Sequence, residues 1–201
     1  YLGNVNILGI RACYDEGKRA AESLAFSWAS QNDSDVRIAR LFNCYGPYMG
    51  AGDGRLIPAF VTQALRNVPI TVFGDGKQTR SFCYVDDTVS GLIALMEMVR
   101  TEVDKPFVCN IGNNDEQEVL RMAFEIQTAV GSDAGIDFRP LPQDDPKRRC
   151  PDLSKAKKYL GWEPTTPLEV GLEKTIEWFR QGNYLKCASQ CFMGNGLSGT
   201  G

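Results

Sequence analysis

Apolar positions recur at helical spacing through 14–31, where Ala20, Leu24, Ala25 and Trp28 form one stripe, and Asn32-Asp33-Ser34 ends it. The apolar run 36–42 follows at once and predicts a short strand. A helix passing directly to a strand is half of a parallel β-α-β unit. Residues 43–54, rich in Gly, Asn and Tyr, then form a loop at the carboxyl end of that strand, the place where open α/β sheets bind ligands. The pattern goes on with a helix over 56–66, a strand over 69–73, a Gly74-Asp75-Gly76 turn and a strand over 79–85. Asp86 is placed to cap an apolar helix that runs to Met98. A strand over 107–111, an amphipathic helix over 116–130 and a strand over 136–138 come next. Asp152 is placed to cap a helix ending at Gly161, and Pro167 opens a last helix that runs to Arg180. Strands alternate with helices throughout, so the class is α/β.

Composition narrows the chemistry. The 201 residues suit one domain, or one lobe with a further piece. At 43% hydrophobic and 23% charged the chain can bury a core, and its net charge of -3 exerts no general pull toward nucleic acid or acidic membranes. An anionic ligand must be held by a few placed Arg and Lys residues. The chain has no His, which removes Ser-His-Asp and Cys-His catalysis. The seven Cys contain no C-x-x-C pair, and Cys13, Cys44, Cys83 and Cys109 lie in or beside apolar runs, as buried reduced thiols do. No apolar run approaches the roughly 20 residues that cross a bilayer. Asp144-Asp145 reads as a polar loop, with no further ligands to complete a metal set. The tail from 184, rich in Gly, Ser and Cys, is expected to be disordered. Its Gly194-Asn-Gly196-Leu-Ser-Gly199 matches a dinucleotide fingerprint in letters alone, because the strand before it and the helix after it that the mechanism needs are not seen.

The strongest chemical signal is Tyr14-Asp-Glu-Gly-Lys18. Residues four apart share a helix face, and an ammonium favours the ionised form of a neighbouring phenol. Such a pair can take a proton from a sugar hydroxyl. The same spacing also occurs on helix surfaces with no chemical role, so its context decides.

That context is an ordered series of motifs: Gly3-Asn-Val-Asn6, Gly9 and Arg11 before Tyr14-Asp-Glu-Gly-Lys-Arg19; Arg40-Leu-Phe-Asn-Cys-Tyr-Gly-Pro47; Asp53-Gly-Arg55; Gly74-Asp-Gly-Lys-Gln-Thr-Arg-Ser-Phe82; Tyr84-Val-Asp86; Asn110-Ile-Gly112; Asp144-Asp-Pro146; Arg149; Pro151-Asp152; and Leu160-Gly-Trp-Glu-Pro164. The series resembles the UDP-glucuronate decarboxylases of the extended short-chain dehydrogenase/reductase superfamily over roughly residues 1 to 181. Ile7 stands where that family usually has Pro.

The resemblance implies the C-terminal part of a Rossmann-like, doubly wound parallel sheet with a small α/β substrate-binding lobe. Residues 1–183 would form this catalytic portion and 184–201 the tail. It implies Tyr14 as base and acid, Lys18 tuning it and holding the nicotinamide ribose of NAD, and Cys44 and Arg55 in the cofactor region. Asn43, Phe73 and Gln78 would meet the sugar nucleotide, and Arg80 and Arg149 its diphosphate. Planar Arg forks suit that group, and Arg148 competes with Arg149 for the role. The implied reaction oxidises C4 of UDP-glucuronate while Tyr14 takes the hydroxyl proton. The 4-ketone then loses carbon dioxide and is reduced to UDP-xylose.

Family members also carry a glycine-rich first turn, an acidic ribose ligand and a Ser/Thr-x-Glu segment ahead of the tyrosine. Residues 1–13 hold none of these, so this polypeptide alone is expected to bind NAD weakly, turn over little and leave apolar faces open. The resemblance further implies a homodimer through the 14–31 helix with Phe26 and Trp28 at the interface. It places the protein in the cytoplasm, or in the Golgi lumen if an anchor precedes Tyr1. A dTDP-glucose 4,6-dehydratase, a 4-epimerase, or a non-catalytic subunit that pairs with intact enzyme are the alternatives.

Overall fold

The structure, a computed structural model, describes residues 6–9, 12–52, 54–99, 106–142 and 148–182. Gly3, Asn4, Val5, Arg11, Asp53, Asp144, Asp145, Pro146, Cys187, Cys191 and the tail 184–201 with its glycine pattern lie outside the described residues. In chain order the elements are α1 Ala12–Asn32, β1 Arg37–Leu41, β2 Cys44–Tyr45, α2 Leu56–Leu65, β3 Ile70–Phe73, β4 Thr79–Ser81, β5 Cys83–Tyr84, α3 Val85–Glu97, β6 Phe107–Ile111, β7 Glu116–Glu118, α4 Val119–Val130, β8 Ile136–Arg139, β9 Arg148–Arg149, α5 Ser154–Leu160 and α6 Leu168–Arg180. The class is α/β, and β1–β6, β3–β8 and β4–β9 all pair in parallel.

The chain divides into two compact units, each assembled from separated segments. The first (1–44, 78–116 and 140–165) is organised on the β1–β6 ladder, which runs from Arg37 opposite Phe107 to Leu41 opposite Ile111. Phe107, Cys109 and Ile111 point to one face, as alternate strand residues must, and bury themselves with Cys83, Leu95, Leu153, Ala156 and Trp162. Gly91 in α3 lets that helix approach: a Cβ there would lie 2.8 Å from Ile111 and 2.9 Å from the Trp162 ring. Gly112 ends the ladder for the same reason, since a Cβ would meet Phe42 at 2.7 Å. The Trp162 indole donates to Ser90 Oγ (2.9 Å), and Asn110 Nδ2 donates to the Asp152 carbonyl (2.9 Å). Arg37 donates to the carbonyls of Leu95 and Met96, capping the C-terminal end of α3.

The second unit (45–77, 117–139 and 166–201) packs α2, α4 and α6 around the parallel β3–β8 pair. Ile57, Phe60, Val61 and Ala64 line the buried stripe of α2, and Val119, Met122, Ala123 and Ile126 that of α4. Both sets keep the i, i+3, i+4, i+7 spacing of an amphipathic helix. The Gly74-Asp75-Gly76 turn uses both glycines at positive φ (70° and 74°), and a Cβ on Gly76 would fall 2.6 Å from that of Leu120.

Several sequence expectations are corrected. The 116–130 helix begins only at Val119, because Glu116–Glu118 is drawn out as β7 beside β4, where strand pairing overrides the helix propensity of Glu and Gln. Asp86 does not cap α3: the N-cap is Tyr84, with no side-chain cap, and Asp86 and Asp87 stand in the first turn, where negative charge meets the positive end of the helix dipole. The 79–85 strand is two short ones, with Val85 already helical. Asp152 lies one residue outside the N-cap of α5, yet its Oδ1 accepts the Ser154 N–H (2.8 Å) and performs the expected service. Pro167 is the N-cap of α6, not its first residue. Of the four cysteines expected to be buried, Cys83 and Cys109 are, Cys44 is half-buried and Cys13 is exposed. Burial pushes the Cys83 thiol up to about 11.

Two buried side chains crowd the Gly91 site, so Gly91→Val is expected to destabilise the protein by about 2 kcal/mol. Urea unfolding would show it as a lower midpoint at unchanged slope.

Candidate functional site

Tyr14 and Lys18 occupy the first turns of α1, one helical turn apart. The Lys18 ammonium lies 5.5 Å from the centre of the Tyr14 ring, over its face, within the range of a cation–π contact. The phenol is open, with Tyr14 65% exposed. A charged amine and a phenol thus stand together on one accessible helix face. The helix itself is held lightly. Only Ala12 and Ala29 are buried along its 21 residues, and an Arg40–Glu22 pair (2.6 and 2.7 Å) ties it to β1. That guanidinium holds the Glu22 carboxyl below its ordinary value. The periodic residues Leu24 and Trp28 are 71% and 61% exposed, so the apolar stripe read from sequence faces outward.

Asn43 and Cys44 lie just beyond the carboxyl end of β1. Asn43 is locked from both sides: its Nδ2 donates to the Ser81 carbonyl (3.0 Å), and its own carbonyl accepts the Cys83 N–H (2.8 Å). Gln78 precedes β4 and is half-buried. Arg80, in β4, is 9% exposed and donates to the Thr79 carbonyl (2.8 Å). Arg149 stands opposite it in β9. In a parallel ladder, residues in register share a face, so Arg80 and Arg149 lie side by side on one face and Thr79 and Arg148 on the other. The Ser81 hydroxyl donates to the Arg149 carbonyl (3.3 Å).

The opposite face separates Arg148 from Arg149. The Arg148 Nε and Nη2 grip the Glu116 carboxylate (2.9, 3.0 and 2.5 Å), and Thr79 Oγ1 donates to the same carboxylate (2.7 Å). Those bonds, Arg148 first, hold the Glu116 carboxyl at about 2. Sequence reading missed Glu116 and Thr79 because 116–130 read as one helix; the side-by-side Thr-Arg and Arg-Arg dipeptides gave no sign of pairing across 67 intervening residues. Arg55 and Phe73 belong to the second unit. Arg55 is exposed at the N-cap of α2 with no side-chain cap bond, and Phe73 is the half-exposed last residue of β3. Among the described residues no group of three or more His, Cys, Asp or Glu could hold a metal ion, and no helix is long and apolar enough to cross a membrane.

A sequence model described as the NAD dependent epimerase/dehydratase family matches residues 4–112, more than half of the 201 residues. This chain belongs to that family. Its family relatives include UDP-glucuronic acid decarboxylase 1 of Xenopus tropicalis, 49% identical over 181 residues, which are 90% of this chain and 42% of the relative. UDP-glucuronic acid decarboxylase 6 of Arabidopsis thaliana is 47% identical over 180 residues, 90% of this chain and 51% of the relative. The chain therefore spans about half or less of the length of the curated relatives it matches. Among solved structures of Rossmann-like fold, an epimerase of Methanothermobacter thermautotrophicus superposes with a TM-score of 0.81 at 29% identity, covering 90% of this chain and 54% of that one. The UDP-glucuronic acid 4-epimerase of Bacillus cereus, solved with UDP-glucuronic acid and NAD, gives 0.75 at 30% identity, with coverage of 82% and 51%.

The depressed Glu116 carboxyl has a consequence for pH. Ionising at lower pH than in the unfolded chain, it adds stability at neutral pH that is lost as pH falls from its ordinary 4.5 toward about 2. Carboxyl NMR should place the Glu116 midpoint near 2 and show it rising toward 4.5 in Arg148→Gln.

Proposed function

We propose that this chain carries the catalytic tyrosine and the sugar-nucleotide site of an NAD-dependent UDP-glucuronate decarboxylase, which makes UDP-xylose through a 4-keto sugar. The observation that carries the reading is the level of likeness: decarboxylases are 46–51% identical over 89–90% of this chain, whereas the structural neighbours just described, both epimerases, are 29–30% identical. Residues 1–183 form the catalytic portion and 184–201 a tail outside it.

Tyr14 accepts the C4 hydroxyl proton of the sugar and later returns it, and the Lys18 ammonium beside it favours the phenolate during that exchange. NAD, when bound, supplies the acceptor and donor of hydride at C4. The exposed Tyr14–Lys18 face suits the nicotinamide-ribose end of that cofactor, and the family resemblance assigns Cys44 and Arg55 to its binding region. A ketone at C4 lies β to the C5 carboxylate and accepts its electrons as carbon dioxide departs. Asn43, Phe73 and Gln78 orient the uridine and sugar, while Arg80 and Arg149 neutralise the diphosphate by paired hydrogen bonds.

A homodimer through α1 fits the exposed Leu24, Phe26 and Trp28. The compartment on this reading is the cytoplasm, or the Golgi lumen if an anchor precedes Tyr1.

Two experiments test these assignments. Fused behind the N-terminal half of the Xenopus tropicalis decarboxylase, the chain should release carbon dioxide from UDP-glucuronate. Tyr14→Phe should then lower that rate by about 10²- to 10⁴-fold; an unchanged rate would remove Tyr14 from the chemistry. Sedimentation should show self-association of the chain, weakened at least tenfold by Trp28→Asp at the exposed ridge, a loss on the order of 1–2 kcal/mol.

A further inference from the structure

We propose that Glu116, Arg148 and Thr79 form a positioning clamp that sets Arg149 beside Arg80 for the diphosphate of the nucleotide sugar. The inference rests on the reading above, in which Arg80 and Arg149 bind that diphosphate, and it adds residues that do not touch the ligand.

β9 is only two residues long. Backbone pairing over so short a span fixes the direction of a side chain poorly, so the strand needs another hold. The clamp supplies one from the far face of the ladder. Arg148 spends its fork on Glu116, through Nε at 2.9 and 3.0 Å and Nη2 at 2.5 Å. Glu116 is itself fixed by the Thr79 hydroxyl at 2.7 Å, and Thr79 is the register partner of Arg148. All three strands of the β7-β4-β9 sheet are thereby joined by one carboxylate. One residue on, the register places Arg149 against Arg80 on the reverse face. Two guanidiniums directly opposite on one face repel each other, and a diphosphate between them turns that repulsion into binding. Among the described residues no ion pair or hydrogen bond engages the Arg149 guanidinium, whereas Arg148 is committed. The neighbouring arginines therefore divide the work: one holds the strand and the other is presented.

The Arg148 side chain is 72% exposed, and ion pairs in such positions contribute little to folding. Loss of the clamp should thus appear in ligand affinity while the fold persists. The test is calorimetric titration of UDP into the 201-residue chain, with the thermal midpoint of each variant measured alongside. Glu116→Ala and Arg148→Ala should each weaken UDP binding about 5-fold, with the double variant no weaker than either single one, as expected for residues acting as a unit. Glu116→Gln, which retains the shape and the Thr79 partner, should weaken binding in the same direction. The exchanged pair, Glu116→Arg with Arg148→Glu, should recover most of the affinity.

If Arg148 were itself a phosphate ligand, removing Glu116 would free it. Unchanged or tighter UDP binding by Glu116→Ala, with weaker binding by Arg148→Ala, would overturn the clamp while leaving the diphosphate reading intact. Equal affinity of Arg149→Ala and the unaltered chain, or no UDP binding by the unaltered chain, would overturn that reading and the clamp with it.

Discussion

The parallel ladder between β1 and β6 is the constraint on which the first unit depends. Its strands are 70 residues apart in the chain at their first paired positions, Arg37 and Phe107, separated by other elements. One face of the β6 strand carries Phe107, Cys109 and Ile111 into the core, and α3 and α5 bury their own apolar residues against it. Three residues of about this size, fully buried, are each worth on the order of 1.5–3 kcal/mol. That is far more than the exposed ion pairs on the surface contribute. Because the ladder is fixed, its carboxyl end is fixed, and Asn43 emerges there held through both its amide and its carbonyl.

Many of the motif residues have packing tasks within their own unit. Gly112 lets Phe42 approach, Gly76 lets Leu120 approach, Asn110 holds the Asp152 carbonyl and Trp162 closes the core over Gly91. Their presence in an ordered series identifies a fold as much as a chemistry. The residues left over after such accounting are the informative ones: Tyr14 is exposed beside Lys18, and among the described residues no ion pair or hydrogen bond engages the Arg149 guanidinium. A site is built by exempting a few polar side chains from packing while the rest of the motif holds them in place.

Against this framework α1 is an exception. It presents the Tyr14–Lys18 pair, yet buries two alanines and leaves Leu24, Phe26 and Trp28 outside. A helix gains most of its stability from the apolar face it packs, so α1, with two buried residues among its 21, is held lightly. The chain also spans about half or less of its curated relatives.

The sequence alone determined the α/β alternation, most element positions, the glycine-ended helices and the Tyr14–Lys18 face. These depend on periodicity and turn chemistry, which act over a few residues and are written locally. The amphipathic stripe of α1 was legible as a pattern, but its side was not: spacing gives a face without saying which face finds a partner. Tertiary structure alone decided that Glu116–Glu118 is a strand, that Arg148 and Arg149 part company, and that Thr79 and Glu116 belong with them. Glu and Gln favour helices when only their neighbours in the chain are considered. Here a guanidinium and a hydroxyl, brought in from elsewhere by the β4–β9 register, make the extended form the better one. A carboxylate does not record in its own sequence neighbourhood which distant arginine will reach it.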